Sequence, residues 1–138
     1  MSSQQIQTLI RNGVPQAEDL DLRIISSDAE YALTCVPFSP RLVRPGGTLS
    51  GPTMMALADA AMYALIFASL GQQEMAVTSN LNINFLSRPA PADLYARATW
   101  MKRTGRQAVC AVDLFSADNE RQLVAHATGT YSLQTTSG

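Results

Sequence analysis

The chain has 138 residues, 46% of them hydrophobic and only 15% charged, with ten basic against eleven acidic side chains for a formal net charge of −1. That length accommodates one domain, residues 1–138, with a sizeable core, and a near-neutral balance without a polybasic arm excludes nucleic acid as the main partner. Soluble proteins usually carry about 25% charged residues, so part of this surface is expected to lie under another copy of the chain, in a dimer or a dimer of dimers.

Residues 1–13 predict a short amphipathic helix, with Ile6, Leu9 and Ile10 at helical spacing and a stop at Asn12-Gly13. The segment lacks the basic start and long apolar stretch of a signal peptide, so the expected compartment is the cytoplasm. "LDLRIISSDAEYALTCVPFS" reads as two short strands joined by the polar "SSDAE". Cys35 and Cys110 are far apart, match no metal or redox spacing and sit in apolar segments, which predicts buried structural thiols. The loop "PRLVRPGG" leads into a helix of about twenty residues that stops at Gly71.

Between Arg44 and Glu74 the only charge is Asp59, in the middle of the most apolar run of the chain. Residues 53–70 have the length of a bilayer span, but the run is alanine-rich and a mid-bilayer carboxylate costs about 2.5–3.5 kcal/mol. A helix apolar all round is more simply one buried on all sides, so no membrane partner is expected. After it the period changes to two. In "VTSNLNINFLSRP", alternation puts Val77, Leu81, Ile83 and Phe85 on one face and Thr78, Asn80, Asn82 and Asn84 on the other. "LYARATWMKR", a "TG" turn, "QAVCAVDLFS", an "ADNE" turn and "RQLVAHATGTYSL" complete a meander. The predicted class is α+β: a curved antiparallel sheet wrapped around one central buried helix, with the short N-terminal helix at an edge.

Two features carry chemistry. In "TLSGPTMM", Ser50 can cap the helix, Gly51 permits close approach and Pro52 is pre-set for the first turn. Free N–H groups and the positive dipole end suit a carbonyl oxygen or an anion there, although a cap alone is the blander reading. Asp59 must be paired, exposed at a cleft or neutral, and a bond to a neighbouring strand would satisfy it without any function. It lies eight residues, about 12 Å of helix, beyond Gly51, too far for both to act on one carbonyl. Two such helices running antiparallel across a twofold axis would bring each Asp59 to the other's Gly51. Residues 88–106 carry Arg88, Arg97, Lys102, Arg103 and Arg106 against Asp93 alone, which suits a small anionic ligand or simply solvated strand ends. His126, the only histidine, excludes a multi-histidine metal site and reads as a strand-face residue.

"GGTLSGPTMMALADAAMYA", "VTSNLNINFLSRPAPADLYARA" and "RQLVAHATGTYSL" together resemble the hotdog-fold acyl-CoA thioesterases of the phenylacetic-acid-degradation (PaaI-like) group, over roughly residues 40–133. The resemblance implies that Gly51 supplies the backbone N–H that polarises the thioester carbonyl and that Asp59 is general base or nucleophile. It also implies that Thr78 helps to place water. Coenzyme A would be part of the substrate, with no separate cofactor and no metal. Its phosphates would meet Arg88, Lys102, Arg103 and Arg106, and Tyr63, one turn past Asp59, would line the acyl pocket. Three positions depart from the family pattern: Ser50 stands for its His, Arg44 for its Asn or Gln, and Pro52 for its second Gly. Ser50 can donate a hydrogen bond but cannot shuttle a proton near neutral pH as imidazole can. Arg44 can hold a substrate carboxylate or act on Asp59, and Pro52 leaves Gly51 to carry the oxyanion site alone. The alternatives are a hotdog protein that binds an acyl-CoA or small acid without hydrolysis and, further off, a dehydratase, which would need a catalytic His at the helix approach.

Overall fold

The computed structural model describes residues 1–44, 48–71, 73 and 75–133. α1 (Ser3–Gly13) starts in a capping box: the Ser2 hydroxyl accepts from Gln5 N–H at 3.1 Å, and the Gln5 side chain accepts from Ser2 N–H at 2.8 Å. Val14 is extended, as a residue before proline is pushed to be, and Pro15 then opens a second short helix, α2 (Pro15–Asp19). The sequence reading contains no α2, because five residues are too few to show a helical period. The strands are β1 (Arg23–Ser27), β2 (Tyr31–Val36), β5 (Val77–Phe85), β6 (Leu94–Arg103), β7 (Gln107–Ser116) and β8 (Leu123–Ser132). They form one antiparallel curved sheet in the order β1-β2-β6-β7-β8-β5. A small ribbon of β3 (Val43–Arg44) and β4 (Thr48–Leu49) precedes α3 (Gly51–Leu70).

α3 has the length and composition of a membrane span, yet ten of its residues, from Thr53 to Phe67, are buried in the core. Its contacts run to β2, β6 and β7, and α1 and α2 cover another side. Gly129 on β8 lets the helix approach: a Cβ there would meet the Met62 sulfur at 2.7 Å. Gly71 closes the helix with φ +83°, a conformation that glycine adopts without strain. The Cys35 and Cys110 side chains are buried, and burial pushes their thiols up to about 11 and about 12 respectively, as inert structural cysteines require.

The two sheet edges differ. α1 lies against β1, and the Gln7 side chain accepts from Ile24 N–H at 2.8 Å, which occupies part of that edge. β5 pairs only with β8 among the described strands, and it is exposed along most of its length.

β5 also departs from strict alternation. Thr78 pairs with Tyr131 but Asn80 with Thr130, so Ser79 is an extra residue, a β-bulge. Beyond it Leu81 and Ile83 face the helix and Asn80, Asn82 and Asn84 face outward, as alternation predicts. Before it the phase is inverted: Thr78 turns inward with Tyr131 and Val77 pairs with Ser132 on the outside. The predicted grouping of Thr78 with the asparagines, and of Val77 with Leu81, is therefore corrected.

Arg11 ties α1 to α2 through Glu18 at 2.8 Å and Asp21 at 2.7 Å, while Arg23 holds the other Asp21 oxygen at 2.9 Å. The guanidiniums of Arg23 and Arg11 hold the Asp21 carboxyl below its usual range, and Arg11 does the same to Glu18. A carboxyl whose folded pKa is depressed stabilises the fold above its unfolded pKa, and this is lost as pH falls through the folded value. Amide protection over residues 3–22 is therefore expected to fall between about pH 5 and about pH 2, while β6–β8 stay protected. Hydrogen exchange read as protection factors checks this; a uniform loss along the chain would contradict it.

Candidate active site

Ser50 is extended (φ −76°, ψ 155°) and caps α3, its hydroxyl accepting from Thr53 N–H at 3.2 Å and lying 2.9 Å from the Thr53 hydroxyl. Met54 N–H makes the first helical bond, to the Ser50 carbonyl, and Pro52 has no N–H. Among the described hydrogen bonds none takes the Gly51 N–H, so it is the donor that the helix start leaves for something else. The Phe85 ring flanks it: a Cβ on Gly51 would lie 3.4 Å from that ring, an ordinary contact. The missing Cβ also relieves the crowding that Pro52 imposes on a helical residue before it. Arg44 lies in the β3–β4 ribbon, and its side chain is outside the described residues, so its predicted role toward a carboxylate or Asp59 is left there.

Asp59 sits on the partly exposed side of α3, toward β5 and β8. Thr78 donates its hydroxyl proton to Asp59 Oδ1 at 2.8 Å. Tyr131 donates to the same oxygen at 2.7 Å, and its hydroxyl lies 3.1 Å from the Asp59 backbone carbonyl. The bulge makes this possible, because without the extra residue Thr78 would face solvent. With its proton committed to Asp59, the Thr78 hydroxyl can meet a water only as an acceptor. Tyr131 is buried at 3% exposure, and burial, then the Asp59 charge, pushes its hydroxyl well above the usual tyrosine range. It therefore remains a proton donor at working pH. Its ring stacks on Tyr63 at 5.7 Å, and Tyr63 packs on Phe67 at 4.6 Å.

Tyr131 is the residue that sequence reasoning missed. An aromatic on the inward face of a strand reads as core, and the available signal was its hydroxyl, which needs a partner when buried.

A cavity of about 40 Å³ opens beside Asp59 between α3 and the N-terminal helices, walled by Ile10, Val14, Leu20, Ala60 and Tyr63. An adjoining groove of about 190 Å³ runs along α2 toward Pro52 and Thr53. The predicted basic residues do not converge. Lys102, Arg103 and Arg106 lie at the β6–β7 hairpin, where Arg106 borders an open basin of about 580 Å³ with Gln107 and Ser132. The Arg103 guanidinium bonds the Ser69 hydroxyl and lies 5.1 Å over the Trp100 ring. Arg88 follows β5 at the other end of the sheet, roughly 25 Å away along the strand, since Val77 pairs beside Gln107 and Leu86 bonds Val124. Arg97 is elsewhere again, 5.4 Å over Phe115. His126 is a strand-face residue, bonded through Nδ1 to Asp113 at 2.8 Å.

Residues 46–122, more than half of the chain, match the family model of the thioesterase superfamily. A proposed thioesterase from Silicibacter sp. TM1040 is 32% identical, with a TM-score of 0.85 over 97% of this chain and 92% of that one. A variant of the phenylacetic acid degradation protein PaaI from Thermus thermophilus is 25% identical, with a TM-score of 0.74 over 86% and 97%. A thioesterase from Haemophilus influenzae shares the fold at 20% identity, with a TM-score of 0.85 over 98% and 92%. No curated protein matches the chain in sequence. The chain belongs to the thioesterase superfamily and has its hotdog fold, which supports thioester hydrolysis as the class of chemistry.

Proposed function

We propose that this chain hydrolyses an acyl-CoA thioester to the free acid and coenzyme A, as a homodimer whose two sites each draw on both subunits. The observation that carries the proposal is Asp59, held by two hydroxyls beside an apolar cavity on a helix whose Gly51 N–H enters none of the described hydrogen bonds. The edge of β5 that no described strand pairs supports the dimer, because exposed apolar side chains stand at both of its ends: Val77 at 60% at one, Phe85 at 52% and the following Leu86 at 57% at the other. Antiparallel pairing of two β5 strands would set the α3 helices antiparallel, with Asp59 of one near Gly51 of the other. The same pairing would bring Arg88 of one subunit toward Arg106 of its mate, and so reunite the basic residues around the phosphates of the coenzyme.

With Oδ1 held by Thr78 and Tyr131, Oδ2 takes a proton from water. The water oxygen bonds the thioester carbon as the carbonyl electrons move onto oxygen, which the Gly51 N–H and the helix dipole stabilise. Collapse of that intermediate breaks the C–S bond, and the departing thiolate takes the proton back from Asp59 Oδ2, which frees coenzyme A as the thiol and restores the carboxylate. The acyl group occupies the cavity lined by Tyr63. No separate cofactor takes part, and a cytoplasmic site of action goes with the proposal.

One observation favours binding without hydrolysis: the Ser50 hydroxyl is occupied by Thr53 and supplies no proton shuttle where relatives of the PaaI-like pattern have His. Thiol release over a panel of short, medium, long and aromatic acyl-CoAs, with Asp59→Ala as control, separates the two readings. Release on one acyl class that is lost in the control is expected. Tight binding across the panel with no release would replace hydrolysis by binding.

A further inference from the structure

We infer that Tyr131 is a positioning residue for the Asp59 carboxylate, fixing which of its two oxygens meets the substrate. The inference rests on the reading of Asp59 as the base. Its own support is geometric. The Tyr131 hydroxyl is 2.7 Å from Oδ1 and 3.1 Å from the Asp59 backbone carbonyl, so one group registers both the side chain and the helix turn that carries it. Its ring is held by the stack on Tyr63, leaving the hydroxyl little freedom to follow a moving carboxylate. Thr78 meets the same oxygen from β5, so Oδ1 is pinned between two adjacent strands. A carboxylate free to rotate about χ2 presents either oxygen, whereas one gripped at Oδ1 presents Oδ2 in one orientation, and a misplacement of 1 Å can cost about 100-fold in rate.

Among the described residues the charged and titratable surroundings are sparse. From β8 comes Tyr131, from β5 the neutral Thr78, and from α3 itself Tyr63; the cavity wall of α1 and α2 is apolar apart from Gln16. Asp19 borders the groove farther along, beside Pro52.

Tyr131→Phe keeps the ring and its stack and deletes only the donor. It is expected to lower kcat about 10- to 100-fold with KM within about twofold. Thr78→Val is expected to do the same to a lesser degree, and Thr78→Ser, which keeps a donor, to restore the wild-type kcat. The readout that a merely structural role would not move is this split of kcat from KM in a variant whose thermal melt and oligomeric state match the wild type. An unchanged kcat in Tyr131→Phe, or a loss confined to KM, overturns the positioning role while leaving Asp59 as base. Wild-type turnover in Asp59→Asn overturns both, and so identifies the base reading as the one at fault.

Discussion

Asp59→Asn is expected to fold, to keep the wild-type oligomeric state and to lose about 10³-fold or more in thioester turnover. The fold survives because the asparagine carbonyl can occupy the place of Oδ1 and accept from Thr78 and Tyr131, at the cost of changing two charge-assisted bonds into neutral ones. Each such change removes about 1 kcal/mol, so a fall in Tm of several degrees is the ceiling. The chemistry does not survive, because the amide nitrogen now stands where Oδ2 stood. It has a proton to give and none to take, and general base catalysis contributes about 10²- to 10⁴-fold. Thiol release measured beside a thermal melt checks both halves. Turnover near that of the wild type, in protein shown to carry the substitution, removes Asp59 from the mechanism.

Two inactive variants are expected to regain activity when mixed. Gly51→Val places a branched side chain at the helix start, beside the Phe85 ring, and closes the approach to the Gly51 N–H. Asp59→Asn removes the base. Eight residues of helix separate the two positions by about 12 Å, so each site of the proposed dimer takes Gly51 from one subunit and Asp59 from the other. In a heterodimer one site collects both defects and the other collects neither. Unfolding the two proteins together and refolding them at a 1:1 ratio makes about half of the dimers mixed, which returns about one quarter of wild-type activity. Chromatography and circular dichroism of each variant alone establish that both fold. Folded variants that exchange subunits and yet remain inactive would place both groups in sites confined to single chains.

How far the sequence discloses this arrangement depends on whether the signal is local. α3 is legible from end to end: Ser50, Pro52 and Gly71 punctuate it, and its apolar content demands cover, which the sheet supplies on one side and α1 and α2 on another. Asp59 stands out by the same local contrast, one charge in an apolar run. The contacts that hold it are not local. Tyr131 is 72 residues away, and its inward position on β8 looks like ordinary core until the hydroxyl is asked where it bonds. Thr78 is misassigned by alternation because the bulge at Ser79 carries none of the glycine or proline that would have marked it. The basic residues show the converse error. Arg88 and Arg106 look clustered in the chain, but β6 lies between them and sends them to opposite ends of the sheet.

β5 has two connections that bear on one another. Its outer edge is where a second subunit would dock, and its bulge carries the Thr78 hydroxyl that grips Asp59. Among the described strands β5 is paired on one side only, and fraying here would loosen that grip at one end and the Phe85 ring beside Gly51 at the other. In the proposed dimer, specific activity would depend on concentration twice over. Dilution would separate Gly51 of one subunit from Asp59 of the other, and it would also slacken the carboxylate within each separated chain.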